Sequence, residues 1–430
     1  MLNQETIARL YKIFKNSDGV STDTRKDLKN KLFFALSGPN FNGNLFATHA
    51  LEKGAIHVVV SEKLDIPIEN YTLVGDTLET LQELAKFHRT QLAIPVIAIT
   101  GSNGKTTTKE LTHKVLSSKF NCFATEGNLN NHIGVPLSLL NINSSHEIAV
   151  LELGANHLNE IEFLCEIAQP DFGVITSIGK DHLEGYGSLE GVKKGSAELL
   201  EYLNRVEKKF LLNPSDKVVF EIAKPFKNLH IIETANDLQF LDSIDFVKFN
   251  FQSKNYSTCL AGDFNHGNIL TAFSIGSHFG VSKDDCVQAI INYLPKNNRS
   301  QIINTGKNVV FLDAYNANPT SMELAIKSFA KMGNVQKLAF LGDMAELGEF
   351  SEAEHQNIAN MDELNIFEWV LFCGAEFYSR ENLFNQKHNY KFFQNKQELQ
   401  LFLEESKFEG KYILIKGSRS MRMEELLSFV

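Results

Sequence analysis

Cysteine is scarce in this sequence, and its placement limits the kinds of site that the chain can build. The five cysteines are scattered along 430 residues, odd in number and never in C-x-x-C spacing. Neither a disulfide framework nor a zinc knuckle fits this arrangement, so we expect a reducing compartment, the cytoplasm. The five are Cys122, Cys165, Cys259, Cys286 and Cys373.

Long apolar runs and an excess of positive charge are also missing. No apolar run approaches the roughly 20 residues that a membrane span needs, and the polar segment 1–10 predicts no signal peptide. The net charge of −10 argues against a general nucleic-acid binder, while leaving room for a local basic cleft that binds an anionic substrate. A hydrophobic content of 43% is that of an ordinary globular protein.

What the sequence does contain is a candidate phosphate-binding loop. The apolar residues 95–100 predict a buried parallel strand that stops at Gly101. Further on, the spacing of Leu111, Val115 and Leu116 predicts a helix with one buried face. A strand, a glycine loop and a helix together form a phosphate cradle, because glycines let backbone N–H groups turn toward an anion and the helix N-terminus adds positive charge.

The loop also carries the two side chains that such a site needs. Lys105 would reach the terminal phosphates of a nucleoside triphosphate, and the Thr106 hydroxyl would ligate the accompanying Mg²⁺. The full G-x-x-x-x-G-K-[ST] pattern is not met, since Ile99 stands where its first glycine belongs. A tight turn with a surface lysine is the alternative, but the order of strand, loop, Lys-Thr and helix favours nucleotide binding. The candidate residues are Gly101, Ser102, Asn103, Gly104, Lys105, Thr106 and Thr107.

Two further apolar strands are predicted downstream, and each leads into polar residues. Residues 148–151 lead to Glu152, and residues 172–176 lead toward His182. Open α/β sheets bind ligands at the carboxyl ends of their strands, so both side chains should lie on the same edge as Lys105. A lone histidine is more often structural, but with the loop threonine these two are candidate ligands for a divalent metal.

Three polar segments allow two interpretations each. Asp23 and Arg25 belong either to a solvated loop or to a site for an anion and a nucleobase. The asparagine-rich loop 125–136 is either a connector or a loop that contacts substrate. Asn265 and Asn268, spaced i, i+3, either cap a predicted helix or contact the base of the nucleotide.

The chain is expected to form an α/β protein with roughly three domains. A small α/β domain is expected at 1–90, and a central domain with a mostly parallel sheet flanked by helices at 91–299. Residues 217–260 predict short antiparallel strands within the latter. After a polar linker at 296–300, strand ends carrying Asp313, Asp343, Lys416 and Arg419 indicate a doubly wound, Rossmann-like domain at 300–430.

These segments resemble a known family along nearly the whole chain. The chain resembles the Mur ligases, the ATP-dependent amide-forming enzymes of peptidoglycan synthesis, in TGSNGKTTTKE (100–110), the N-x-N-N-x-x-G-V-P loop (128–136), ELGA (152–155) and DHLE (181–184). It resembles the members that add D-alanyl-D-alanine in DAYNANPTSM (313–322), LGDMAELGE (341–349) and KGSRSMRME (416–424). STDTR (21–25) is similar to the family's UDP-binding first domain.

The resemblance implies a particular reaction. ATP would phosphorylate the terminal carboxylate of UDP-MurNAc-tripeptide, and the amine of D-Ala-D-Ala would attack the resulting acyl phosphate. Lys105 and Mg²⁺ would neutralise the two anionic reactants as they approach. The resemblance also implies a cytoplasmic monomer whose third domain closes over ATP and binds the dipeptide. It leaves open whether the third residue of the tripeptide is diaminopimelate or lysine.

Other functions are weighed against this one. The nearest alternative is a sister Mur ligase, or a folylpolyglutamate-type ligase, that adds a single amino acid. A P-loop GTPase is disfavoured because no N/T-K-x-D-like guanine-binding motif is found. A catalytically inactive nucleotide-binding module is a further alternative.

The resemblance assigns expected roles to individual residues. The expected catalytic residues are Lys105, Glu152, His182, Lys416 and Arg419, and the expected metal ligands are Thr106, Glu152 and His182. Beyond the phosphate loop, the expected nucleotide contacts are Asn265, Asn268, Arg299, Asp313, Asn316 and Asn318. The expected substrate contacts are Ser21, Asp23, Thr24, Arg25, Asn128, Asn130 and Asn131.

One position departs from the family pattern. Members often carry a lysine, modified to a carbamate, in the helix after DHLE, and here Ser196 stands at that place. Lys194 lies two residues earlier, which on a helix is a rotation of about 200°. We therefore expect no carbamylated lysine at position 196 and leave Lys194 open.

Overall fold

The computed structural model describes residues 4–65, 67–213, 216–227, 229–243, 245–333 and 335–430. The first three residues of the segment 1–10, and single positions within 1–90 and 217–260, therefore lie outside the described residues. The described chain contains three main sheet-and-helix units that follow one another in sequence. The predicted α/β class is confirmed by this architecture. Within these ranges, no helix combines the length and the apolar character needed to cross a membrane.

The N-terminal unit is built on a four-stranded parallel sheet in the order β1-β2-β5-β6. Its elements are α1 (Gln4–Lys15), β1 (Val20–Ser21), β2 (Leu32–Phe34), β3 (Ser37–Gly38), β4 (Phe41–Asn42), α2 (Ala47–Glu52), β5 (His57–Val60), β6 (Tyr71–Leu73) and α3 (Thr77–Thr90). A short 3₁₀ turn at Gly43–Phe46 precedes α2. Asp76 starts α3 by accepting backbone N–H bonds from Leu78 and Glu79.

The central unit is the largest and has helices on both faces of its main sheet. Its elements are β7 (Val96–Thr100), α4 (Lys105–Leu116), β8 (Cys122–Ala124), α5 (Gly134–Leu140), β9 (Ile148–Glu152), α6 (Glu160–Ala168), β10 (Phe172–Ile175), α7 (Leu183–Tyr186), α8 (Leu189–Arg205), β11 (Lys209–Leu212), α9 (Lys217–Ala223), β12 (His230–Glu233), β13 (Gln239–Leu241), β14 (Phe246–Phe251), β15 (Lys254–Ala261), α10 (Asn265–His278) and α11 (Lys283–Ile291).

The main central sheet has six parallel strands in the order β12-β11-β10-β7-β9-β8. All five residues of β7 are buried, as expected for an interior strand of a sheet covered on both faces. One hydrophobic core contains side chains of α3, α5, α6 and α8, and another contains side chains of α4, α10 and α11. The carboxyl ends of β7, β9 and β10 therefore lie side by side at one edge of the sheet.

Residues 217–260 differ in part from the sequence prediction. They begin with α9 and with β12, which pairs in parallel at the edge of the main sheet. Only the later part, β13-β14-β15, forms the expected antiparallel sheet. Helix α10 begins at Asn265, so Asn265 and Asn268 both lie within its first turn.

The C-terminal unit has a six-stranded sheet in the order β16-β17-β21-β18-β19-β20. Its elements are β16 (Gln301–Asn304), β17 (Val309–Leu312), α12 (Pro319–Lys331), β18 (Lys337–Gly342), α13 (Ser351–Ala359), β19 (Trp369–Cys373), α14 (Ala375–Tyr378), β20 (Tyr390–Phe393), α15 (Lys396–Ser406) and β21 (Tyr412–Lys416). Only β16 pairs in an antiparallel manner, and it lies at one edge. The doubly wound arrangement predicted for this unit is present, with β16 and β20 as edge strands that were not predicted.

Candidate active site

The loop between β7 and α4 has the backbone geometry that a phosphate cradle requires. Gly101 and Gly104 both have positive φ angles, +126° and +85°. Side chains there would also collide, since an added Cβ would lie 2.5 Å from the Thr176 hydroxyl at Gly101 and 2.4 Å from the Asn268 amide oxygen at Gly104. In the described chain, no side chain caps the N-terminus of α4. Its first N–H groups are therefore available to an anion.

Lys105 lies at the mouth of this loop, largely buried. Its Nζ donates to the carbonyl oxygens of Gly101 and of Ser102, the latter at 3.2 Å. The Asp181 carboxylate is 3.9 Å from the same nitrogen. The ammonium thus curls back over the loop, at the place where the phosphates of a nucleotide would lie.

Glu152 ends β9 and presents a carboxylate that is only partly satisfied. It is 2% exposed. Its Oε1 accepts a 2.8 Å bond from the Asn130 amide, whereas its Oε2 is buried with no partner among the described residues. A buried carboxylate oxygen without a donor is costly unless a cation occupies the space next to it.

The protein ligands available to a divalent metal near Glu152 are few. Among the residues that the structure describes, no group of three or more His, Cys, Asp and Glu side chains is placed to hold an ion. Mg²⁺, however, keeps several waters and is usually bound through one or two carboxylates together with substrate phosphates. The unpartnered Oε2 of Glu152, in the same cavity as the hydroxyl of Thr106, fits a magnesium ion that arrives with a triphosphate.

His182 lies between two carboxylates. Its backbone is left-handed, with φ +48°. Its Nε2 is 3.6 Å from Asp181, and its Nδ1 is hydrogen-bonded to Glu346 of the C-terminal unit. Burial by itself lowers the pKa of His182, but the hydrogen bond to Glu346 and the two negative charges outweigh it, so the pKa is raised. The same hydrogen bond lowers the pKa of Glu346.

Asn265 and Asn268 lie on the first turn of α10 against the phosphate loop. The Asn268 amide nitrogen donates to the Asn265 oxygen at 2.9 Å, and its own oxygen accepts a 3.0 Å bond from the Thr108 hydroxyl. Asn265 in turn donates to the carbonyl of Ala261 at 2.7 Å. Phe264 occupies the cap position of α10. The capping interpretation therefore does not hold for either asparagine.

The C-terminal unit contributes its own polar residues to the same space. Lys416, at 1% exposure, pairs with Asp313 at 2.6 Å. Asn318 starts α12 with a capping box and also donates to the Asn103 side-chain oxygen of the phosphate loop at 3.0 Å. The C-terminal unit thus directly contacts the phosphate loop of the central unit.

Two arginines flank a tyrosine that sequence reasoning did not single out. Arg299 lies 3.9 Å from the ring centre of Tyr315, and Arg419 lies 5.6 Å from it. The Nε of Arg299 is buried and has no partner in the described chain. Arg419 also pairs with Glu424 at 2.6 Å, and its backbone N–H donates to the Asn316 side chain at 3.4 Å.

These features converge on one cavity of about 490 Å³ between the central and C-terminal units. Of the predicted site residues, the cavity is lined by Ser102, Asn103, Gly104, Lys105, Thr106, Thr107, Asn128, Asn130, Glu152, His182, Asn265, Asn268, Arg299, Asp313, Asn316, Asn318 and Lys416. Gly101, Arg419 and Asn131 lie outside its lining. Asn131 instead accepts the backbone N–H bonds of Ile133 and Gly134 at the start of α5.

The cavity also has lining residues that sequence reasoning missed. They include Asn213 and Asp216 after β11, Asp263 and Phe264 before α10, and Tyr315. Asn213 follows a strand of the same parallel sheet, so the strand-end rule that pointed to Glu152 could have found it. The sequence offered no comparable signal for Phe264.

The N-terminal unit holds a separate cavity of about 540 Å³. Asp23 and Arg25 line it as an ion pair of 2.9 Å, and the hydrogen bond from Arg25 lowers the pKa of Asp23 to about 2. Thr24 lines it too, whereas Ser21 is not part of its lining, and the Ser21 hydroxyl accepts the N–H bond of Asp23. Phe41 and Phe46 also line the cavity, and their rings stack with centroids 5.4 Å apart.

Position 196, where members of the family often carry the carbamylated lysine, lies on α8. Ser196 is buried there, and Lys194 is exposed to solvent on another side of the helix. The side chain of Lys194 therefore points away from the neighbours of Ser196.

Comparison with known proteins shows which family shares the sequence and the fold of this chain. Residues 99–276 match the family model described as Mur ligase middle domain, and residues 298–419 match the model described as Mur ligase, glutamate ligase domain. The chain is 34% identical to UDP-N-acetylmuramoyl-tripeptide--D-alanyl-D-alanine ligase of Bacillus subtilis (strain 168), covering 95% of this chain and 92% of the relative.

Two solved structures extend the likeness to the fold. MurF from Acinetobacter baumannii superposes with a TM-score of 0.87 at 28% identity, covering 98% of this chain and 97% of that one. MurF ligase from Thermotoga maritima, solved in complex with ADP, superposes with a TM-score of 0.83 at 23% identity, covering 97% of each chain, and shows the shared fold alone.

The chain belongs to the Mur ligase family. Within that family, the relatives from Bacillus subtilis, Haemophilus influenzae and Escherichia coli, each matched over more than nine tenths of its length, are named UDP-N-acetylmuramoyl-tripeptide--D-alanyl-D-alanine ligase.

Proposed function

We propose that this protein is an ATP-dependent ligase that adds D-Ala-D-Ala to UDP-MurNAc-tripeptide in the synthesis of peptidoglycan precursors. The observation that carries the proposal is one cavity shared by the glycine loop, the half-satisfied carboxylate of Glu152 and the polar edge of the C-terminal unit. The names of the near full-length relatives supply the substrates.

The first step joins two anions, and the cavity supplies what their approach needs. The γ-phosphoryl group of ATP passes to the terminal carboxylate oxygen of the tripeptide, ADP leaves, and an acyl phosphate remains. Lys105 and the free N–H groups of α4 face the phosphates, where fixed positive charge stabilises the developing negative charge. Mg²⁺, held by Thr106, Glu152 and His182 together with the phosphates, would supply further charge neutralisation.

The second step needs no nucleophile from the protein. The amine of D-Ala-D-Ala attacks the acyl carbon, the tetrahedral intermediate expels inorganic phosphate, and the amine loses a proton to give the amide. Water must be kept away from the acyl phosphate meanwhile. Contacts of the C-terminal unit with the central unit, such as Asn318 with Asn103, support such a closed site.

Substrate and nucleotide positions follow from the two cavities. We place the uridine diphosphate in the N-terminal cavity with Asp23, Thr24 and Arg25, and the peptide end against Asn128, Asn130 and the nearby Asn131. ATP occupies the shared cavity, beside Asn265, Asn268, Arg299, Asp313, Asn316 and Asn318. Lys416 and Arg419 act from the C-terminal edge.

We place this reaction in the cytoplasm and expect a monomer. All five cysteines are free, which fits a reducing compartment. A nucleotide-linked substrate and ATP are both molecules of the cell interior.

A phosphate-release assay tests the function. Purified protein is incubated with ATP, Mg²⁺ and UDP-MurNAc-tripeptide, and D-Ala-D-Ala, lysine or glutamate is added in separate reactions. We expect release only with D-Ala-D-Ala. Release that requires lysine or glutamate instead would identify a ligase that adds a single amino acid, and release without any amine would indicate a nucleotide hydrolase.

A further inference from the structure

The second substrate poses an electrostatic requirement that the residues assigned above do not meet. The inference here rests on the proposed function. The amino terminus of a dipeptide has a pKa near 8, so D-Ala-D-Ala arrives mostly as an ammonium. Lys105, Lys416 and Arg419 carry the wrong sign to bind it. A carboxylate on the C-terminal side of the cavity is needed.

Among the carboxylates near this side of the cavity, Asp313 lies in the loop that follows β17, and Asp343 and Glu346 lie in the loop that follows β18. Asp313 is committed to Lys416 at 2.6 Å and also accepts the N–H of Ser300 at 3.1 Å. Asp343 accepts the N–H groups of Glu376 and Phe377, at 2.9 and 3.0 Å. Both therefore serve the internal structure of the C-terminal unit.

Glu346 is placed differently. In the described chain its carboxylate is paired only with His182, across the boundary between the two units, and its side chain is 52% exposed. Its backbone is left-handed, with φ +60°, and its carbonyl accepts the N–H of Glu184 at 3.1 Å. The loop of the C-terminal unit is thus fixed onto the central unit at this residue, and the carboxylate is held at the junction.

The junction is next to the reaction centre. The Asp181 carboxylate lies 3.6 Å from Nε2 of His182, the ring nitrogen that is not bonded to Glu346, and 3.9 Å from the Lys105 ammonium. One imidazole ring therefore separates Glu346 from the groups that face the phosphates. A carboxylate can accept about four hydrogen bonds, so Glu346 can keep His182 and still receive a second donor.

We propose that Glu346 binds the α-ammonium of the incoming D-Ala-D-Ala and, once the ammonium has lost one proton to solvent, holds the resulting amine in position for attack. The hydrogen bond from His182 fixes the carboxylate, and its exposed side faces the entering dipeptide. Because the loop is anchored to Glu184, this binding site is complete only when the C-terminal unit rests on the central unit.

The test compares two variants that each remove a cross-boundary carboxylate. Glu346→Gln keeps the shape and removes the charge. Glu354→Gln is the matched control. Neither carboxylate lines the cavity, but Glu346 pairs with the lining residue His182, whereas Glu354 pairs across the same boundary with Lys180, 2.6 Å away, which does not line it. We expect Glu346→Gln to raise KM for D-Ala-D-Ala about 10- to 100-fold, the range for a lost charge-assisted hydrogen bond. The KM values for ATP and UDP-MurNAc-tripeptide should stay within about twofold. Glu354→Gln should change the three KM values alike.

A second readout separates ammonium binding from a structural role. N-acetyl-D-Ala-D-Ala lacks the ammonium, so the natural protein should bind it far more weakly than D-Ala-D-Ala, and Glu346→Gln should shrink that ratio. An unchanged ratio, or an equal loss in Glu354→Gln, would overturn the assignment. If the natural protein shows no dipeptide-dependent phosphate release, the proposed function itself fails, and the assignment fails with it.

Discussion

Two charged side chains in the cavity, Lys105 and Glu152, have incomplete sets of strong partners. Lys105 rests on loop carbonyls, and Glu152 has one satisfied and one unsatisfied oxygen. The carbonyl contacts can be exchanged for stronger ones to phosphate, because the ammonium then faces a full negative charge instead of a neutral carbonyl oxygen. The cavity is thus prepared for a charged ligand.

Replacing Lys105 tests the first of these arrangements. Lys105→Ala should lower turnover about 100-fold or more, because a fixed charge next to the phosphates is lost. Thermal stability should change little, since the ammonium contacts only the loop itself and Asp181. Lys114→Ala is the control, because Lys114 lies on the same helix α4 and is exposed. Similar phosphate release from both variants would contradict the role of Lys105.

Replacing Glu152 tests the metal assignment. Glu152→Gln keeps the side-chain shape but removes the charge next to the unpartnered Oε2 position. We expect the Mg²⁺ concentration that gives half-maximal turnover to rise about tenfold or more, because one anionic ligand is lost. A magnesium titration of phosphate release measures it, and an unchanged midpoint would exclude Glu152 as a ligand.

At the scale of elements, α1, α3 and α5 are held together by buried polar contacts as well as by apolar ones. His88 of α3 is 3% exposed and bonds the Tyr11 hydroxyl on α1 and the Ile142 carbonyl after α5. Burial lowers its pKa below the ordinary 6.5. The folded chain therefore holds this ring neutral at pH values where the unfolded chain binds a proton.

This linkage predicts acid sensitivity. The stability contributed by neutral His88 is complete above pH 6.5, the ordinary value, and is lost as the pH falls from there toward the lower folded pKa. The melting temperature should therefore drop between pH 7.5 and pH 5.5, and His88→Gln should show a smaller drop than the natural protein. Melting curves at both pH values measure this, and equal drops in the two proteins would contradict the linkage.

The elements also show what the sequence could and could not predict. Strand β7, the glycine loop and α4 were predicted because few other structures combine a continuous apolar run with glycine followed by Lys-Thr. Strands β16 and β20 were missed because they are four-residue edge strands, mostly half-buried, whose pairing is decided by the neighbouring sheet. Glu152 and His182 could be predicted to share a cavity because each follows a strand of the same parallel sheet. The positions of Tyr315 and Glu346 could not be predicted, because they depend on how the central and C-terminal units pack together, and no local sequence pattern encodes that packing.

The whole molecule is expected to move during its cycle. Contacts between the central and C-terminal units include several polar pairs, among them Asn103 with Asn318 at 3.0 Å and Lys180 with Glu354 at 2.6 Å. Polar contacts of this kind are typical of interfaces between domains that can separate. The arrangement described here has the C-terminal unit resting on the phosphate loop.

Small-angle scattering tests this motion. The radius of gyration should be smaller with a non-hydrolysable ATP analogue, Mg²⁺ and UDP-MurNAc-tripeptide than without ligands, because the ligands contact both units and favour the closed arrangement. Scattering curves that superpose with and without ligands would contradict domain closure as part of the reaction.

The central claim is that ATP activates the carboxylate of the nucleotide-linked peptide by direct phosphoryl transfer in the shared cavity. Its most direct test uses tripeptide whose terminal carboxylate carries ¹⁸O, with ATP, Mg²⁺ and D-Ala-D-Ala, and mass spectrometry of the released phosphate. Each phosphate should carry one oxygen from the labelled carboxylate, because that oxygen leaves with the phosphoryl group when the amide forms. Phosphate without the label, alongside formation of the amide product, would contradict the account.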